Sequence, residues 1–105
     1  MTRDTNRLIV ELDKYRRQIN REMINPTTEA VEMETLLPVV KACARARADY
    51  IKCLMEIASD DNDKSCTQED IEKLRQHRMA YDELVAAANA LEIVIKREYI
   101  DVKEN

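Results

Sequence analysis

Apolar residues recur along much of this chain at the three- and four-residue steps of an α-helix. Leu8, Leu12, Tyr15, Ile19 and Met23 follow one another at spacings of four, three, four and four, which places them on one stripe at ~100° per residue. Arg7, Glu11, Lys14, Arg17 and Arg21 lie off that stripe. The spacing predicts a helix over about 4–24. Asn25-Pro26 ends it, because the residue before a proline is pushed out of the α region.

Thr27 and Thr28 offer caps for a second helix, and Glu29 and Glu32 suit its positive end. That helix is predicted over about 28–58, kinked near Pro38, which has no N–H to give and collides with the preceding turn. Leu36, Val40, Cys43, Arg47, Tyr50, Leu54 and Ala58 form its expected inner face. Residues 59–65 are polar and read as a loop in which Asp and Asn take the place of glycine. Thr67-Gln-Glu-Asp70 then resembles a capping box, with Asp where Glu is usual. It opens a third helix predicted over about 68–103, with Ile71, Leu74, Tyr81, Leu84, Ala88, Leu91, Ile95, Tyr99 and Val102 on its main stripe. At 1.5 Å per residue that helix is roughly 50 Å long.

Breaks this short join antiparallel neighbours. The expected fold is therefore all-α, a single domain over 1–105. It is an up-down-up antiparallel three-helix bundle built on a long helical hairpin. Folding the second helix onto the third sets Arg47 near Met79 and Leu54 near Glu72. The first helix is too short to cover the hairpin tip, roughly 48–78. Tyr50, Leu54, Ile57, Ile71 and Leu74 are there, and Ile93 and Ile100 point off the third helix's main stripe. These seven are the candidate partner-interface residues, because several exposed aliphatic side chains in one patch are a solubility liability unless something covers them.

Composition agrees with helices. Glycine is absent and proline occurs twice, so the positive-φ turns of a β-rich chain have no supply. Phe and Trp are also absent, which leaves four Tyr and aliphatic residues to build a thin core, and thin cores are often completed by oligomerisation. The net charge of −4 provides no overall attraction to phosphate. Charges interrupt the apolar stretch at the N-terminus, so it does not read as a signal peptide, and no run approaches the ~20 apolar residues of a membrane span. Three cysteines, an odd number, read as reduced thiols in a cytoplasmic protein.

Few residues invite chemistry. Arg47 interrupts an apolar stripe, with Asp82, Tyr81 and His77 expected nearby. As a buried polar group it needs a partner, whereas an arginine that lays its stem on the core keeps its head in water, and that simpler arrangement is favoured. His77 is the sole histidine and reads as a boundary residue; neither a paired Glu-x-x-His site nor a two-histidine zinc site can be made. Cys43, Cys53 and Cys66 lack zinc spacing, and no catalytic residues, metal or cofactor are expected. Asp61, Asp63, Ser65, Thr67, Glu69 and Glu72 follow a calcium-loop template, but Cys66 stands where that template needs glycine, and the capping box already accounts for Thr67 and Asp70. Lys41, Arg45, Arg47 and Lys52, with Arg16, Arg17 and Arg21, are basic but interleaved with acids and without stacking aromatics. The expected function is a non-enzymatic helical protein–protein interaction module that acts as a dimer or binds a partner protein. The alternative is a nucleic-acid-associated regulator using the basic face of the first two helices.

Overall fold

The computed structural model describes residues 2–59 and 66–104. Among them are three α-helices, α1 (Arg3–Ile24), α2 (Met33–Ala58) and α3 (Gln68–Lys96), with a 3₁₀ turn at Asn25–Thr27. The chain divides into two compact units, Met1–Thr35 with Leu91–Asn105, and Leu36–Ala90.

In the first unit, α1 starts where the Thr2 hydroxyl accepts from the Thr5 amide at 3.2 Å, an N-cap that satisfies one of the helix's orphan donors. It ends at Ile24, near the predicted place, but the expected cause is corrected: Asn25 keeps αR angles (φ −53°, ψ −41°), its amide still donates to the Arg21 carbonyl, and the chain continues into the 3₁₀ turn before extending at Thr28. The predicted start of the second helix at residue 28 is corrected: α2 begins at Met33. Before it, Val31 forms a parallel bridge with Val102. The Val31 amide donates to the Asp101 carbonyl and the Lys103 amide donates to the Val31 carbonyl, each at 2.8 Å.

The predicted end of the third helix at residue 103 is likewise corrected: α3 stops at Lys96. The Glu98 amide donates to the Ile95 carbonyl at 3.1 Å, and the Tyr99 amide to the Val94 carbonyl at 3.0 Å. Together with Glu98 at φ 60° this is a Schellman C-cap, in which the left-handed position is normally glycine. The chain turns there. Tyr99 and Ile100, expected to prolong helical faces, are instead buried, as is Val31.

In the second unit, α2 and α3 meet along a heptad-like seam. On α2 the buried or half-buried positions Val39, Cys43, Ala46, Tyr50, Cys53 and Ile57 recur at alternating steps of four and three; on α3, Leu74, His77, Tyr81, Val85 and Ala88 are half-buried. Tyr50 and Tyr81 pack with ring centroids 6.4 Å apart, within the range of favourable tilted pairs. Later residues of α3 meet earlier residues of α2: His77 and Ala80 line a cleft with Ala46 and Asp49, and Ala88 and Asn89 line another with Val39 and Val40. The expected inner face of α2 is therefore displaced by one residue over part of its length. Val40 and Leu54 are exposed, whereas Val39, Ala46 and Cys53 are turned inward. Both stripes share Cys43 and Tyr50; the smaller Ala46 and Cys53 permit closer helix approach than Arg47 and Leu54.

Candidate interaction surfaces

The first unit is tied together through one polar edge of α1. Arg21 Nη1 donates to the Glu98 carbonyl at 2.7 Å, and Nη2 pairs with the Asp101 carboxylate. Asn25 donates to Asp101 through its side-chain amide at 3.2 Å and accepts from the Asp101 amide at 2.8 Å. Bonding to Arg21 first, and to Asn25 second, holds the Asp101 carboxyl below the ordinary carboxylate range. The carbonyl that Arg21 reaches exists in that position because the Glu98 cap ends α3 there. A groove of ≈ 630 Å³ continues along the same edge, lined by Asp13, Lys14, Arg17 and Gln18 of α1 and by Arg97 and Glu98.

These contacts lie on the side of α1 away from its apolar stripe. At 100° per residue, Asp13, Lys14, Arg17 and Arg21 centre roughly 180° from Leu8, Leu12, Tyr15, Ile19 and Met23. The stripe is open: Leu12 is 48% exposed, Ile19 52%, Tyr15 56%, Leu8 64% and Met23 71%. α1 has no buried residue. This surface was not among the expected interface residues, because the same periodicity that makes a helix amphipathic reads by default as core.

The seven expected interface residues divide. Tyr50, Ile57 and Leu74 are half-buried along the α2–α3 seam. Leu54 and Ile71 are exposed, and Ile51 and Met55 enlarge the exposed apolar set on α2. Ile93 is exposed as well. Ile100 is only 4% exposed, so its expected role as surface is corrected: the chain leaves the helix before reaching it.

The buried-polar assignment of Arg47, His77 and Asp82 is also corrected, since no polar or charged residue among those described is buried. Arg47 and Asp82 are exposed and His77 is half-buried. Arg47 donates to the Tyr81 hydroxyl from Nε at 3.0 Å and from Nη2 at 2.5 Å. Its guanidinium carbon lies 5.2 Å from the Tyr81 ring centre. A guanidinium bonded twice to the hydroxyl sits beyond the ring's rim, so the phenol oxygen and not the π face carries the contact. Arg47 as a whole is exposed and bonded to Tyr81, so it is not an unpaired buried charge.

Cys43, Cys53 and Cys66 carry free thiols. Among the described residues no three His, Cys, Asp or Glu side chains gather as a metal set. Asp61, Asp63 and Ser65 of the calcium-loop template lie outside the described residues, while Thr67 and Asp70 bond each other's amides at 3.0 and 3.2 Å as a capping box. No helix among the described residues is long and apolar enough to cross a membrane. Compared with protein-family models, curated proteins and solved structures, the chain matches none of them.

Proposed function

We propose that this chain is a non-enzymatic, cytoplasmic helical interaction module whose apolar helix faces are completed by another protein chain. The observation that carries the reading is the α1 stripe, five apolar side chains at helical spacing, each about half exposed or more. Fully burying one such side chain contributes about 1.5–3 kcal/mol, so a partner that covers the stripe gains enough to offset the entropy of association. Ile51, Leu54, Met55 and Ile71 extend the exposed apolar surface to the second unit.

In this reading the helices run up-down-up, α2 bends at Pro38, where the carbonyl of Glu34 has no N–H to receive, and the bundle is completed between chains. A nucleic-acid partner is the competing class. It is less favoured because Arg21 is already engaged by Asp101 and Glu98, and the basic side chains that remain alternate with acids.

Sedimentation equilibrium over a concentration series, with capture from the native cell as a second arm, tests the module. Self-association, or stoichiometric capture of one protein that is lost on Leu54→Asp, Ile71→Asp or Leu12→Asp, is the expected result. Salt-sensitive binding to DNA or RNA without either would replace this reading, because phosphate contacts weaken steeply with salt.

A further inference from the structure

Resting on the interaction-module reading, we propose that α1 pairs in parallel with α1 of a second copy of this chain. The seam would be Leu8, Leu12, Tyr15, Ile19 and Met23. Three observations carry this. The spacing matches the four-three alternation of a two-stranded coiled coil over most of the helix. The chain holds α1 by the opposite, polar edge, through Arg21 to Glu98 and Asp101, so that tether and a partner on the stripe do not compete for one surface. The flanks of the stripe differ in charge: Asp4 and Glu11 border one side, and Arg16 borders the other.

Between two copies, that asymmetry bears on the direction of pairing. In a parallel pair, Glu11 of one copy faces Arg16 of the other, and two-fold symmetry repeats the contact. In an antiparallel pair like flanks meet, which sets the acidic side against itself. Arg16 is available for the exchange: its present contact is a 3.6 Å intrahelical pair with Asp13, both side chains half exposed, a geometry of little energetic weight.

The test is sedimentation equilibrium of the full chain and of Leu12→Asp, Glu11→Arg and the double variant Glu11→Arg/Arg16→Glu, with circular dichroism and thermal melting on each. Leu12 is about half exposed, so its replacement leaves the chain's own core intact. Pairing predicts that Leu12→Asp weakens the dimer by at least about tenfold. It also predicts that Glu11→Arg weakens the dimer several-fold and that the double variant restores it. Self-association that ignores Leu12→Asp overturns the α1 pairing while leaving the module reading in place, through another face. Sensitivity to Leu12→Asp without the charge-swap rescue overturns the parallel arrangement. A monomer at all concentrations overturns the pairing. If Leu12→Asp also lowers that monomer's melting temperature, the chain covers its own stripe and the module reading falls with the pairing.

Discussion

At Glu98 a single backbone angle decides where the longest helix ends. A left-handed residue with a Cβ is strained by about 1 kcal/mol, which glycine avoids. Glu98→Gly is therefore expected to raise stability by about 0.5–1 kcal/mol in chemical denaturation, since Arg21 bonds the Glu98 carbonyl and not its side chain. At the other end of α3, Thr67 and Asp70 satisfy each other's amides. Thr67→Ala should lower stability by about 1 kcal/mol, read from the same denaturation curves. Of these two helix ends, the capping box was legible in the sequence, because its partners are three residues apart and need no tertiary context. The Schellman cap was not: Tyr99 and Val102 continue the helical spacing, and a glutamate carries no signal for positive φ. Arg47 was half legible, since its stripe was readable but its neighbour on the facing helix depends on the helix rotation.

At the level of elements, the C-terminal segment and α1 depend on each other through Asp101. Its carboxyl is held low by Arg21 and then by Asn25, so the carboxylate's contribution to stability is fully present above the ordinary unfolded value of about 3.9. That contribution disappears as pH falls through the lower folded value. Asp101→Asn should remove this part of the acid sensitivity, visible as a flatter stability-versus-pH curve below about pH 4. The exposed position of the pair makes the effect small and reducible by salt. On α2, the inner and outer stripes differ by one residue at several turns, and both satisfy the same period. Periodicity located the helix, while the side chains that allow close approach, Ala46 and Cys53, chose which stripe turned inward.

Across the whole molecule, the tightest burial among the described residues lies in the first unit, where Val31, Tyr99 and Ile100 come from segments far apart in the chain. Ile100→Ala is expected to cost about 2–4 kcal/mol by thermal or chemical unfolding, far more than the same change at exposed Ile93. Helix content and the start of α3 followed from local chemistry: apolar spacing, capping residues and the absence of glycine act within a few residues of themselves. The late start of α2 and the burial of Ile100 go with pairing between residues about seventy apart, Val31 with Asp101–Lys103, while the early end of α3 is a local cap at a residue whose type carries no signal for it. A side chain's periodicity states that it faces something apolar; whether that is its own chain or another is settled by contacts no local pattern encodes.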